Sequence, residues 1–105
     1  MEINNEVLDF IKKTARKYLP DADVMLFGSR ARKDAGPESD FDILVITHLE
    51  IDPQRKLPIK TNIRKDLLKM GIRTDVLIQS RSEIRRKKNL PGHIIRNIFR
   101  EAVSL

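Results

Sequence analysis

The sequence predicts an α/β (α+β) domain in which a small mixed β-sheet is flanked by helices. Three compact apolar runs predict the sheet: Val24 to Phe27, Ile43 to Ile46 and Val76 to Ile78, each too short to be a helix. Between and around them, apolar residues recur at steps of three and four, the period of helices laid against a core. Gly and Pro mark the boundaries, and no repeat, linker or low-complexity stretch interrupts the pattern.

The elements follow in order. Ile3, Val7, Phe10, Ile11, Ala15 and Tyr18 trace one face of a first helix, which Pro20 stops. Residues 23–28 read as a buried strand ended by Gly28, and 41–47 as a second strand. Asp52-Pro53 starts a helix, with Asp as cap and Pro in the first turn, that continues through Ile59, Ile63, Leu67 and Met70 to Gly71. Pro58 inside it predicts a bend or a restart. A third strand covers Arg73 to Gln79, and Ser80 with Glu83 matches a capping box for a fourth helical stretch carrying Arg85, Arg86, Lys87 and Lys88. After the break at Asn89-Leu90-Pro91-Gly92, Ile94, Ile95, Ile98, Phe99 and Ala102 form a last amphipathic helix. The expected order is therefore helix, strand, turn, strand, helix, strand, helix, helix.

A chain of 105 residues buries roughly two-thirds of its unfolded surface, enough for one core. The expectation is a single domain over 1–105, with no second substrate-binding domain. The absence of Cys excludes a disulfide scaffold, a thiol nucleophile and Cys-ligated metal sites. His48 and His93 are too few for a His-rich centre and read as surface or helix-end residues. No apolar run spans a membrane and no leader precedes the first helix, so the expected location is cytoplasmic. The net charge of +6 is unevenly placed: residues 1–52 carry 7 basic and 11 acidic side chains, residues 53–105 carry 14 and 4. Such a split points to an anion-binding surface or to solvated helix faces, with nucleic acid the first suspect. Only one Tyr and four Phe are present, so stacking platforms for a single strand are poorly supplied and nucleic acid becomes the weaker reading.

The chemistry concentrates in residues 28–42. Asp40 and Asp42 are two apart, so on a strand both carboxylates project to one face. At about 4 Å and an effective dielectric near 20 they would repel by roughly 4 kcal/mol, which a divalent cation would offset. An all-oxygen site suits Mg²⁺ or Mn²⁺; the alternative is an Asp-rich turn. Asp75 lies in a strand that looks buried, where an unpaired carboxylate would cost several kcal/mol. Beside the second strand it would complete a three-carboxylate cluster; otherwise it is a partner for Arg73 or a strand-edge residue. Gly28 allows close backbone approach, Ser29 can cap a helical turn, and free N–H groups there can cradle phosphate. Arg30 and Arg32 either neutralise phosphate or pair with Asp34, Glu38 or another acid to hold the loop.

Gly28-Ser29, the ten-residue spacing to Asp40-Phe41-Asp42, the following Ile43-Leu44-Val45 and the later Asp75 resemble the DNA polymerase β-like nucleotidyltransferase superfamily. The run from Gly28 to Val45 is similar to the minimal nucleotidyltransferases (MNT), its small single-domain members. The resemblance implies the polymerase β-like fold, with the NTP on Gly28 and Ser29 and two Mg²⁺ ions on Asp40 and Asp42. It also implies that Asp75 ligates one ion and assists deprotonation of the acceptor hydroxyl. Lys33 departs from the pattern, since related sequences often have Gly there. The implied activity is Mg²⁺-dependent transfer of a nucleoside monophosphate, AMP from ATP, to a hydroxyl. Similar proteins are commonly paired with a helical HEPN-domain toxin and act as its antitoxin, so the acceptor is expected on that partner, within a homo- or hetero-oligomer. The competing expectation is a catalytically idle binding module that neutralises by complex formation. Arg85 to Lys88 are the expected outer contact for a partner, against a solvated helix face.

Overall fold

In the computed structural model, which describes residues 5–36, 39–90 and 94–105, the elements run α1 (Asn5–Tyr18), β1 (Asp23–Phe27), α2 (Gly28–Arg32), β2 (Phe41–Thr47), α3 (Pro53–Leu68), β3 (Thr74–Ser80), α4 (Arg81–Lys88), α5 (Ile94–Glu101) and β4 (Val103–Ser104). The sheet order is β3-β2-β1-β4. β1 pairs antiparallel with β2 and with β4, while β2 and β3 are parallel and joined through α3, so the sheet is mixed as expected.

Strand alternation sorts the core into two layers. Val24, Leu26, Phe41, Ile43, Val45, Val76 and Ile78 face Ile11 and Ala15 of α1 and Ile63 and Leu67 of α3. Leu44 and Ile46, with Met25, Phe27 and Leu77, face Ile84 of α4 and Ile95 and Ile98 of α5. β2 is central and buried on both faces, which is why its sequence is a continuous apolar run.

Several boundaries differ from expectation for identifiable reasons. The sheet has four strands rather than three among the described residues, because Val103 and Ser104 pair with Leu26 and Met25. Two residues with no apolar alternation carry no strand signal. The turn expected after β1, where Ser29 could cap a helical turn, is the short helix α2. α3 continues across Pro58, which lies only six residues into the helix. Its Asp52 N-cap makes no side-chain capping bond, and Met70 falls beyond the helix end, 64% exposed. The capping box forms: Ser80 Oγ accepts the Glu83 amide at 3.1 Å and Glu83 Oε1 accepts the Ser80 amide at 3.0 Å. Ile3, Pro37, Glu38, Pro91, Gly92 and His93 lie outside the described residues.

Arg85, Arg86 and Lys88 of the basic run of α4 are exposed, and three of its four side chains also touch their own fold. Arg86 pairs with Glu50 at 2.8 Å, Lys87 donates to Gln79 Oε1 at 2.7 Å, and Lys88 lies 5.4 Å over the Phe99 ring. His48 is exposed, as expected.

Candidate active site

The site lies where β1 ends and β2 and β3 begin. Register places Phe27 opposite Asp42, and Asp42 opposite Asp75, so the two carboxylates sit on adjacent strands about 4.8 Å apart in spacing. Alternation from Leu44 and Leu77 puts both on the α4/α5 face.

Gly28 closes on this row. Its φ of +75° is one that L side chains rarely adopt, and a Cβ there would lie 2.1 Å from Asp42 Oδ2. Only the missing side chain lets the backbone reach the carboxylate. The Gly28 amide donates to Glu101 Oε1 at 3.1 Å, and Arg32 Nη1 donates to Oε1 and Oε2 of the same carboxylate at 3.1 and 2.9 Å. Arg32 Nε also reaches Asp34 Oδ2 at 3.1 Å. α2 has Phe27 at its N-cap and no side-chain cap, so Ser29 does not cap the turn. At its other end Lys33 holds the left-handed conformation, φ 64°, which Gly adopts more readily than a residue with a side chain.

Electrostatics single out Asp42. Burial, then Asp75 and Asp40, push its carboxyl above the usual range, with Arg32 opposing and Glu101 adding to the shift. A carboxylate held among like charges favours a cation.

Two expectations need correction. Asp75 is exposed rather than buried, although Thr74 and Val76 on either side of it are buried on the opposite face of β3, so desolvation does not force it into a cluster. The three carboxylates are not gathered: Asp40 precedes β2 and its Oδ1 pairs with Arg73 Nε at 3.2 Å. Among the described residues no group of three or more His, Cys, Asp or Glu is placed to hold a metal ion. Asp42 and Asp75 remain a pair of hard oxygen donors that fits Mg²⁺, and Asp40 stands beside them with its carboxylate on Arg73.

The two arginines divide between their alternatives. Arg30, 4% exposed, donates from Nε and Nη2 to the Ser39 carbonyl at 3.2 and 2.8 Å and lies 4.5 Å over the Phe41 ring. That geometry holds the loop between α2 and β2 in place. Arg32 is half exposed at the mouth of the site and is paired with acids there.

A nucleotidyltransferase domain model matches residues 8–105. The chain belongs to the nucleotidyltransferase domain family. This nucleotidyltransferase is 30% identical over 102 residues to a Methanocaldococcus jannaschii protein named as a candidate protein adenylyltransferase, covering 96% of this chain and 95% of the relative. It superposes on the crystal structure of a candidate nucleotidyltransferase with a TM-score of 0.64 at 25% identity, covering 93% of this chain and 96% of that one. It shares its fold with a Shewanella oneidensis MNT antitoxin solved in complex with a tri-AMPylated HEPN toxin, at TM-score 0.59 and 15% identity, over 97% of this chain and 71% of that one.

Sequence reasoning about the nucleotidyltransferase missed Glu101. A signal was present: the basic half holds only four acids, Asp66, Asp75, Glu83 and Glu101. Asp66 binds Tyr18 and Lys17, and Glu83 completes the capping box. In so basic a segment each acid has a defined partner or stands at the site.

Proposed function

We propose that this nucleotidyltransferase transfers AMP from ATP, with Mg²⁺, onto a hydroxyl of a partner protein, and that the partner is a HEPN-domain toxin which it neutralises in the cytoplasm. The observation that carries the reading is the closure of Gly28 on Asp42 with Asp75 in register beside it. The name of the archaeal relative and the complex formed by the Shewanella MNT antitoxin support the acceptor and the partner.

Asp42 and Asp75, joined by Asp40 when it leaves Arg73, would hold the ion. The chemistry such an ion supplies is a lowered pKa for the acceptor hydroxyl and charge stabilisation on the departing pyrophosphate. The chain's own groups do the positioning. A triphosphate at the Gly28 amide takes the place of the Glu101 carboxylate, and Arg32, still held by Asp34 through Nε, then turns Nη1 from Glu101 to phosphate charge. Arg30 fixes the loop that sets the entry of β2, and so the direction of Asp42.

Purified protein with Mg²⁺, labelled ATP and a HEPN-domain protein from the same organism tests this: the partner gains the mass of AMP, and Asp42→Ala abolishes the gain. A second reading is favoured by the Asp40–Arg73 pair, which leaves the acidic group ungathered. In it the protein neutralises by complex formation alone. An Asp40→Ala/Asp42→Ala variant that still protects cells, with no AMP added by the wild type, selects that reading and ends the first.

A further inference from the structure

We infer that the cleft between the C-terminal end of α3 and the start of β3 docks the acceptor segment, and that it takes an acidic peptide carrying the hydroxyl to be modified. The inference rests on the transfer reading above. A cavity of about 320 Å³ opens there, with Asp40, Arg64, Lys65, Leu68, Arg73 and Thr74 in its walls.

Three features give the cleft its ligand chemistry. Thr74 is only 6% exposed, yet its Oγ1 has no hydrogen-bond partner among the described residues. A buried polar atom in that state is destabilising, and a polar group brought into the cleft relieves it. Arg64 and Lys65 are exposed and form no ion pair with any described acid, whereas the acid of this wall, Asp40, is already neutralised by Arg73. The wall is therefore net positive and complementary to a negatively charged segment. Leu68, 59% exposed, adds apolar surface on which an aromatic or aliphatic side chain can rest.

The strand order fixes which substrate belongs here. Gly28, at the end of β1, stands on one flank of Asp42; Asp75 and the cleft, at the start of β3, stand on the other. In-line displacement at phosphorus requires the attacking oxygen to lie opposite the leaving group. With pyrophosphate departing on the Gly28 flank, the acceptor enters on the β3 flank. The bond from the acceptor oxygen to the α-phosphorus forms as the bond from that phosphorus to the pyrophosphate oxygen breaks. The hydroxyl proton passes to the Asp75 carboxylate. Thr74 and Asp75 point to opposite faces of a free sheet edge, so a peptide seated in the cleft passes around that edge beside Asp40 to bring its hydroxyl to Asp75.

Fluorescence anisotropy tests the cleft without requiring turnover. The probes are labelled peptides with a central tyrosine flanked by glutamates, by serines or by lysines, titrated with the full chain; Mg²⁺ and ATP binding are measured separately by calorimetry. The acidic peptide binds at least about tenfold more tightly than the serine peptide, and added salt weakens it. Arg64→Glu/Lys65→Glu removes that preference while ATP binding is kept. Thr74→Val, which opens no cavity, weakens the acidic peptide by about threefold to tenfold without lowering the thermal midpoint. Equal binding of all three peptides, or full affinity in the charge-reversed variant, overturns the inference. So does a single-stranded RNA oligonucleotide that binds the same residues more tightly than the acidic peptide. If ATP binds and the acidic peptide does not, the cleft assignment falls alone; if the peptide binds and ATP does not, the transfer reading falls and the peptide site stands.

Discussion

Gly28 and Asp42 are in contact through an absence: the Cβ that any other residue would carry at position 28 would lie 2.1 Å from Asp42 Oδ2. The same glycine holds φ at +75°, so conformation and contact both require it. Gly28→Ala is expected to cost about 1–3 kcal/mol through backbone strain, before the collision is counted. It should also drive Asp42 out of register with Asp75. Chemical denaturation measures the first effect and loss of Mg²⁺ binding by calorimetry the second.

Asp42 works against the fold that holds it. Burial and its acidic neighbours hold its carboxyl above the ordinary range, so ionisation is less favourable in the folded chain than in the unfolded one. Asp42→Asn should therefore raise the thermal midpoint at neutral pH in metal-free buffer, while AMP transfer is lost. A midpoint that falls would refute this account of the site's electrostatics.

Lys33 offers a contrasting substitution. It is a non-glycine residue at φ 64°, ending α2 in the left-handed conformation. Lys33→Gly is expected to stabilise the domain by about 0.5–1 kcal/mol, since the strain relieved exceeds the added freedom of the unfolded chain. Equilibrium unfolding in urea reads the gain.

Glu83 ties α4 to α3 as well as capping its own helix. Its carboxylate takes Lys56 Nζ at 3.0 and 2.8 Å, with both side chains 14% exposed. Burial pushes the Glu83 carboxyl up, but the Lys56 hydrogen bond and the Ser80 amide outweigh it and hold the carboxyl below the ordinary value of 4.5. The folded state thus favours the charged form, and the stability so gained is present above that value and lost as pH falls through the folded pKa. Glu83→Ala should cost about 2–4 kcal/mol at pH 7 through the lost cap and the stranded Lys56. Glu83→Gln keeps the cap geometry and loses the ion pair, so its deficit should shrink as pH is lowered below 4.5. Thermal unfolding across pH checks both.

Arg30 is expected to act on the site through the loop. Lysine cannot send two parallel N–H groups to the Ser39 carbonyl, and Arg30→Lys should cost about 1–3 kcal/mol. Its imprint on catalysis is a fall in the transfer rate greater than the fall in nucleotide affinity, read by single-turnover and binding measurements on one preparation.

The sheet and the acidic motif were legible because they rest on local patterns. Ile43 to Ile46 announces a buried strand, and Gly28-Ser29 with Asp40-x-Asp42 announces a turn followed by carboxylates at the start of that strand. What stayed hidden depends on residues far apart in the chain. The exposure of Asp75 depends on what covers its face of β3, and β4 is a pair of residues defined only by the strand they meet. The turn of Asp40 toward Arg73 and the reach of Glu101 to Gly28 join positions 33 and 73 residues apart, beyond any periodicity. The roles of Arg30 and Arg32 were balanced in sequence for a related reason: burial separates them, and burial is set by Phe41 and Ser39 across the loop.

The hydrogen bond from Gly28 to Glu101 also sets when, along the chain, the resting form of the site is closed. During synthesis the glycine turn, Asp40 and Asp42 leave the ribosome well before α5, and the Gly28 amide meets its carboxylate only once residue 101 has emerged and docked. A nascent chain can hold Gly28, Asp40 and Asp42 and still lack the Glu101 contact at the mouth of the site. Completion of α5 is thus the moment at which this domain closes on its glycine turn.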